Sequence, residues 1–183
     1  MARIVLVHGA FCNERVWGEP FLEGLRSLGH SVEVFDLPSH GVDTTPRSDV
    51  KLQLYSDRVV RQLQSSPEPA VLIGHSMAGL VITQAADEFI AAGGVLDRLI
   101  YVAAVLPRNG KSQNDYTTLP EGGGDSLRGE LDVDGEPKVA TLRPGVAGRA
   151  LFNHCTPERA RELEQLLEPQ VIRVLFTPVV SRR

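Results

Sequence analysis

The stretch that decides the fold is Ala70-Val71-Leu72-Ile73-Gly74-His75-Ser76-Met77-Ala78-Gly79. It begins with an apolar run of the kind that forms a buried β-strand, and an apolar helical pattern follows over about 77–92. Gly74 and Ala78 are small, so strand and helix can approach closely at a sharp turn between them. The pattern predicts a nucleophile elbow, which holds the Ser76 hydroxyl above the end of the strand.

Strand-like and helical segments alternate on both sides of this elbow. We predict strands at Ile4 to Val7, Ser31 to Phe35 and Leu99 to Val105, and helices at about Trp17 to Leu28 and Val50 to Gln64. Ser48 or Asp49 is expected to cap the second helix, with Leu52, Tyr55, Val59 and Leu63 on its buried face. This alternation, with short connections, predicts an α/β protein with a parallel sheet covered by helices on both faces.

The pattern changes after Pro107. Residues 108 to 126 are polar and glycine-rich, with Gly122-Gly123-Gly124 in the middle. Further on we predict a hairpin at Glu130 to Leu142 around Asp134-Gly135, helices at Val146 to Asn153 and from the cap Thr156 to about Leu167, and an apolar, β-prone stretch at Val171 to Val180. We therefore expect a single domain, 1–183, made of a sheet core (1–112), a cap region (113–170) and a tail (171–183).

Composition indicates an ordinary globular protein. The chain has 183 residues, 42% of them hydrophobic, and a formal net charge of -4, which gives no reason to expect nucleic acid or a membrane as partner. No apolar run approaches the roughly 20 residues that a membrane-spanning helix needs. Cys12 and Cys155 lie far apart without metal-ligand spacing, so we expect no metal site, reduced thiols and a cytoplasmic location.

The chemistry that the elbow favours is acyl transfer, which needs a nucleophile, a base and donors for the oxyanion. Ser76 is the candidate nucleophile, and the backbone N–H of Met77 would point at the oxyanion from the start of the following helix. Ala10, next to Phe11 in the loop after the first strand, is the candidate second donor. An ordinary tight exit from that strand is the alternative interpretation of Gly9-Ala10, and the short Gly-x-Ser-x-Ala pattern is weak by itself.

Together these motifs resemble a known family. They are His8-Gly9-Ala10, Trp17, Gly29-His30, the run from Asp36 to Asp43 (DLPSHGVD), Gly74 to Gly79 (GHSMAG) and Leu151 to Pro157 (LFNHCTP). They are similar to the α/β-hydrolase superfamily, and within it to the branch of plant methylesterases, salicylate-binding esterases, hydroxynitrile lyases and their bacterial relatives. The resemblance implies an α/β-hydrolase fold, Ser76 as nucleophile, Ala10 and Met77 as oxyanion donors, and neither metal nor organic cofactor. We expect Phe11, Leu106 and Phe152 to line the substrate pocket.

The sequence departs from this family after the elbow. Family members carry the acid and then the histidine of the triad on loops after later strands. Here no histidine follows His154 and no acidic residue follows Glu168, so the chain is expected to lack the C-terminal portion that carries both. Asp115 follows the fourth strand, where some hydrolases place their acid, but a solvated loop position is the simpler interpretation.

The remaining polar candidates are expected to be mostly structural. His8 is interpreted as a structural residue, His30 and His40 as bystanders, and the His75 side chain is expected to point away from the nucleophile. His154, in the cap region, is the one histidine that we retain as a possible substitute base. Cys12 and Cys155 are interpreted as buried small apolar groups rather than nucleophiles.

Three functions remain open. The first is a serine hydrolase of the esterase type acting on a small carboxylic ester, the second a catalytically impaired relative that binds a small apolar ligand or partner, and the third a hydroxynitrile-lyase-like activity. The strand at Leu99 to Val105 should be an apolar edge unless Val171 to Val180 covers it, another chain pairs with it, or the sequence is a fragment of a longer chain. An open edge predicts self-association, and so a homo-oligomer.

Overall fold

The computed structural model describes residues 1–121, 127 and 129–182, so the predicted glycine run at 122–124 lies outside the described residues. Four parallel strands form the main sheet in the order β2-β1-β3-β4. They are β1 (Arg3–Val7), β2 (Ser31–Val34), β3 (Ala70–His75) and β4 (Leu96–Val102). The two central strands are buried on both faces, which is why β1 and most of β3 read as continuous apolar runs.

Three helices flank the sheet, as the sequence predicts. They are α1 (Glu19–Ser27), which follows a short 3₁₀ helix at Glu14–Trp17, α2 (Leu52–Gln64) and α3 (Ala78–Ala91). The α2 and α3 helices pack with β1 and β3 in the main hydrophobic core, and α1 contributes Leu22 to a smaller one on the opposite face. The predicted cap of α2 is wrong. Its N-cap is Lys51 without a side-chain hydrogen bond, because residues 46–50 form a preceding turn.

The β4 strand is shifted from its predicted position. It ends at Val102 because Ala103 has a positive φ of 42°, which turns the chain out of the sheet. Within the described residues β4 pairs only with β3, and the side chains of Ile100 and Val102 are 38% and 41% exposed. Self-association through this edge stays a prediction, which light scattering from concentrated protein tests.

A second, smaller sheet follows the main one in the chain. It has the antiparallel order β5-β6-β7, with β5 (Leu131–Asp134), β6 (Val139–Leu142) and β7 (Gln170–Val171), and the predicted hairpin around Asp134-Gly135 is confirmed. The short helices here are α4 (Gln113–Thr117), α5 (Val146–Ala150) and α6 (Pro157–Glu164). Thr156 caps α6 as predicted, by accepting a hydrogen bond from the Arg159 N–H. None of the helices in the described part of the chain is both long and apolar enough to span a bilayer.

The segment from Val171 to Val180 is not the β-strand that its composition suggests. Only Val171 pairs, as the end of β7, and the chain continues into α7 (Arg173–Phe176). This helical turn places the Val174 side chain, with no exposed area, in the core next to α2 and α3. Tertiary packing therefore overrides the local β propensity, and the alternative in which this segment pairs with the edge of β4 is not observed.

Candidate active site

The elbow between β3 and α3 holds Ser76 in a conformation that few residues adopt. Its φ is +56°, in the left-handed region where a side chain costs energy unless the surroundings enforce it. Those surroundings are hydrogen bonds to the last residue of β4 and to the loop that follows it. The Ser76 N–H donates to the Val102 carbonyl over 3.3 Å, and the Ser76 carbonyl accepts from the Val105 N–H over 3.1 Å. The turn is thus fixed by the sheet.

Glycines let the surrounding backbone approach the elbow. A Cβ atom at Gly9 would lie 2.9 Å from the Cβ of Ser76, and one at Gly74 would lie 2.8 Å from the Cδ1 of Ile82. A Cβ at Gly79 would overlap the carbonyl oxygen of Val105. The close strand–helix approach predicted for Gly74 is therefore observed, and Gly9 and Gly79 serve the same purpose.

Ser76 opens into a cavity of about 500 Å³. Among the expected pocket residues, Phe11 and Phe152 line this cavity, together with Ala10, Cys12 and Leu131. Leu106 does not. It is 66% exposed and lies in a separate surface groove with Thr83 and Ile90, since β4 ends earlier than predicted. The Ser76 hydroxyl makes no hydrogen bond to any described residue and is available to a ligand.

Two backbone N–H groups near Ser76 are also available. The amides of Ala10 and Met77 donate no hydrogen bond to any residue that the structure describes. Ala10 lines the cavity, and Met77 is the N-cap residue of α3, whose positive dipole end attracts developing negative charge. Free amides in these positions can stabilise an oxyanion, so both assignments stand as predictions.

His8 is a structural residue, as predicted. Its ring is fully buried; Nε2 accepts the Leu37 N–H over 3.0 Å, so Nδ1 carries the proton and donates to the Gly9 carbonyl over 2.9 Å. Burial, followed by the nearby His40, lowers its pKa from 6.5 to about 3. The ring is therefore neutral and has no free nitrogen with which to take the Ser76 proton.

His75 is among the residues that line the cavity with Ser76, and its ring forms a T-shaped contact with that of Trp17, 6.2 Å away between ring centroids. Burial lowers the pKa of His75. His40 differs from the interpretation as a bystander in a loop. His40 is not a surface residue. It is 2% exposed, and its Nε2 lies 3.0 Å from the Tyr55 hydroxyl. Its burial arises from residues distant in sequence, which no local pattern could reveal.

The other candidates lie away from the reacting position. His154 is exposed and is not among the residues that line the Ser76 cavity. Asp115 closes a capping box at the start of α4, where its carboxylate accepts hydrogen bonds from the N–H and hydroxyl of Ser112. Cys12 is buried as expected, and burial raises the pKa of its thiol to about 12, whereas Cys155 is exposed, contrary to expectation.

Glu168 is a site residue that no sequence pattern indicated. Its Oε1 accepts a hydrogen bond from Asn13 Nδ2 over 2.6 Å, and its Oε2 accepts one from the Gly41 N–H over 2.8 Å. Its own N–H donates to the Phe11 carbonyl over 2.8 Å. One acidic residue beside β7 therefore holds the loop that carries Ala10 and Phe11.

Comparison with known proteins agrees with this architecture. Residues 4–179 match the family model described as "Alpha/beta hydrolase family". The alpha-hydroxynitrile lyase of Arabidopsis thaliana is 30% identical over 91% of this chain and 66% of its own length. Methylesterase 2 of the same plant is 40% identical over 56% of this chain and 39% of its own length. The chain thus spans less than two thirds of the length of these relatives.

Solved structures show the same fold. A pyrethroid hydrolase from Sphingobium faniae JZ-2 superposes with a TM-score of 0.85 at 21% identity, over 100% of this chain and 73% of that one. Polyneuridine aldehyde esterase superposes with a TM-score of 0.79 at 22% identity, over 99% of this chain and 74% of that one. At these identities the likeness extends to the arrangement of strands and helices, and the chemistry has to be argued from the site.

Proposed function

This chain belongs to the alpha/beta hydrolase family, and from that membership we propose that it is an esterase-type hydrolase of a small carboxylic ester. Ser76 is the proposed nucleophile, and the backbone amides of Ala10 and Met77 are the proposed oxyanion donors. The observation that carries the proposal is the strained elbow, which presents a hydroxyl without any described partner to a cavity of about 500 Å³.

In the proposed reaction the Ser76 oxygen attacks the ester carbonyl carbon and its proton passes to solvent water. The carbonyl oxygen becomes an oxyanion that the two amides stabilise, the bond to the alcohol oxygen breaks and that oxygen takes a proton from water, and a second water then hydrolyses the acyl-serine to the acid and free Ser76. Strain at Ser76 supports this assignment, because left-handed residues other than glycine concentrate at functional sites. The mostly apolar lining, which includes Phe11, Leu131 and Phe152, favours an ester with apolar substituents.

The test is hydrolysis of p-nitrophenyl acetate together with labelling by a fluorophosphonate. Ser76→Ala is expected to abolish labelling and to lower kcat/KM to the background rate measured without enzyme. Ser48→Ala removes an exposed serine outside the cavity and is the matched control, expected to behave as the wild type. Equal rates for the wild type and Ser76→Ala, without labelling, would contradict an esterase function.

The second candidate is a non-catalytic protein that binds a small apolar ligand in the same cavity. The observation that favours it is the Ser76 hydroxyl itself, which no described side chain hydrogen-bonds and so none activates in this arrangement. Saturable binding of an apolar carboxylate by calorimetry, combined with Ser76-independent background hydrolysis, would support this candidate over the first.

The likeness to the lyase adds a third candidate. A protein named alpha-hydroxynitrile lyase aligns with 91% of this chain, so Ser76-dependent release of cyanide from a hydroxynitrile is the matching activity. The same Ser76→Ala and Ser48→Ala pair tests it. Cyanide release without ester hydrolysis would favour the lyase, and ester hydrolysis without cyanide release would favour the esterase.

A further inference from the structure

A second cavity has Phe11, in the loop after β1, in its wall. It measures about 310 Å³ and is bounded by β6, α5 and α6. The first cavity, with Ser76, is bounded instead by α4, residues 151–152 and α7. Phe11 is the one described residue that lines both cavities. Phe11 is therefore common to the walls of the two cavities.

Phe11 is held firmly in that position. It is 5% exposed and has a positive φ of 63°, and its carbonyl accepts the Glu168 N–H over 2.8 Å. A buried aromatic residue on a backbone fixed in this way does not move aside without a cost. Phe11 is thus placed to separate the two cavities.

The lining of the second cavity suits a hydrocarbon chain. Its apolar residues are Leu142, Pro144, Ala147, Leu167 and Pro169. Its charged side chains have partners: Arg143 donates to Asp132 over 2.9 Å, and Glu164 accepts the Gly148 N–H over 3.0 Å. Because these charged side chains are already hydrogen-bonded, we expect a ligand to bind in this cavity through burial of its apolar surface.

We propose that Phe11 is a specificity-determining residue, which limits the acyl chain of the substrate by closing the second cavity to the Ser76 site. This inference rests on the proposed esterase function. The wild type should prefer short acyl chains, because a long one meets the Phe11 ring. Without that ring the two cavities join, and an extended acyl chain reaches the apolar wall formed by Leu142 and Leu167.

The experiment compares p-nitrophenyl esters from acetate to dodecanoate. For Phe11→Ala the ratio of kcat/KM for the decanoate to that for the acetate is expected to rise about sixteenfold, because two methylenes that newly enter the second cavity contribute about fourfold each. Phe11→Leu keeps part of the partition and should give a smaller rise. Phe21→Ala removes an exposed phenyl ring from α1 and is the matched control, with no change in the ratio.

A double variant locates the gained space. Thr141 is an exposed residue of β6 that lines only the second cavity, so Phe11→Ala with Thr141→Phe refills that space from its far side. The gain of Phe11→Ala should then return toward the wild-type ratio. A gain that survives Thr141→Phe would show that the extended chain goes elsewhere, and would overturn the role of the second cavity.

A binding measurement with fatty-acid carboxylates tests the role of Phe11 independently of the proposed esterase function. Calorimetry with acetate, octanoate and dodecanoate needs no catalysis; wild-type affinity should stop rising with chain length, whereas that of Phe11→Ala should continue to rise. If no ester is hydrolysed in a Ser76-dependent manner, the esterase proposal fails and binding alone decides. Folded Phe11→Ala and Phe11→Leu proteins, checked by thermal melting, with wild-type profiles in both experiments would overturn the partition.

Discussion

The sheet core and the segment from α4 to α6 form opposite sides of one cavity but are stabilised in different ways. In the core, the strands β1 and β3 and the helices α2 and α3 are packed with fully buried side chains. Between residues 113 and 169, the described part contains only three buried hydrophobic residues, Ala140, Val146 and Ala147. The core positions Ser76, whereas the segment supplies much of the wall that a ligand would contact.

The ion pairs of the sheet core and of the segment from α4 to α6 differ in their exposure to solvent. Arg3 is nearly inaccessible and binds Glu33, whereas the pairs of the later segment, such as Arg149 with Glu130, are exposed to solvent. Water screens exposed pairs and competes for them, so they add little stability, while a buried pair that loses one member leaves an unsatisfied charge. The same type of substitution should therefore have unequal effects in the two regions.

The largest difference is expected for arginine. Arg3 donates to both carboxylate oxygens of Glu33 and to the carbonyls of Gln62, Leu63, Ser66 and Glu68. Arg3→Met removes all of these bonds, so the free energy of unfolding should fall by about 3–5 kcal/mol. Arg149→Met breaks an exposed pair and should cost less than about 1 kcal/mol.

Urea unfolding followed by circular dichroism measures both free energies. The pKa of Glu33 gives an independent check: burial alone would raise it, but the hydrogen bonds from Arg3 and Gln62 and the charge of Arg3 lower it overall. In Arg3→Met this depression should largely disappear, as seen by NMR titration of the carboxyl. Similar stability losses for Arg3→Met and Arg149→Met would remove the distinction between the regions.

Replacing a glycine by alanine should also have unequal effects on the stability of the two regions. Gly79→Ala would place its Cβ on the Val105 carbonyl, beside the bonds that fix Ser76, and should cost about 3 kcal/mol. Gly148, within α5, has its nearest contact at 3.6 Å, to Glu164 Oε1, so Gly148→Ala should be neutral or stabilising by up to about 1 kcal/mol. Thermal unfolding of both variants should show shifts of opposite sign or of very unequal size.

These contrasts also explain which parts of the structure could be predicted. The strands β1 and β3 and the helix α3 were predictable because burial on all sides leaves continuous apolar runs. The strained Ser76 was predictable because small residues must flank such a turn. Where a segment is buried on all sides, its local sequence is enough to predict its structure.

Prediction failed where distant contacts decide the structure. An apolar run such as Val171 to Val180 suits a strand or a buried helical turn, and packing of Val174 on the core selects the turn. His40 looks like a loop residue until Tyr55 and Glu168 enclose it. Leu106 is predicted to line the pocket, but β4 ends earlier, at the turn of Ala103, and Leu106 lies on another surface.

The core should also respond to pH through its buried histidine. The pKa of His8 is about 3 in the folded state against 6.5 when unfolded, so between these values the unfolded state binds the extra proton. The contribution of neutral His8 to the free energy of unfolding is fully present above pH 6.5. It is lost as the pH falls toward 3, by about 1.4 kcal/mol per pH unit. Above about pH 5.5 carboxylates with ordinary pKa values are almost fully ionised and interfere little.

His8→Gln tests this origin of the pH dependence. Glutamine offers an oxygen that can accept the Leu37 N–H but does not titrate. The slope of the unfolding free energy against pH should therefore decrease by the amount that corresponds to one bound proton, about 1.4 kcal/mol per pH unit. His40 and His75, whose pKa values burial also lowers, retain their own contributions. His154→Gln, at an exposed position, is the control. An unchanged slope in His8→Gln would show that His8 is not held neutral by folding.

The smallest expected effect lies where the two regions join, at Glu168. Glu168→Gln preserves the acceptor for Asn13 but replaces the oxygen that accepts the Gly41 N–H with an amide NH₂, so two donors face each other. One charge-assisted hydrogen bond is lost, and the free energy of unfolding should fall by about 1–2 kcal/mol. Glu162→Gln, which breaks an exposed pair with Arg159 on α6, should change it by less than about 0.5 kcal/mol.

The two glutamate variants should also differ in any Ser76-dependent hydrolysis. The Glu168 N–H still holds the Phe11 carbonyl in Glu168→Gln, but the loop loses its side-chain attachment to residue 41, so kcat should fall more than KM changes. Glu162→Gln should leave both constants unchanged. If the variants match in stability and in kcat, then the carboxylate of Glu168 does not join the core to the later segment, and the loop that carries Ala10 must be held by the core alone.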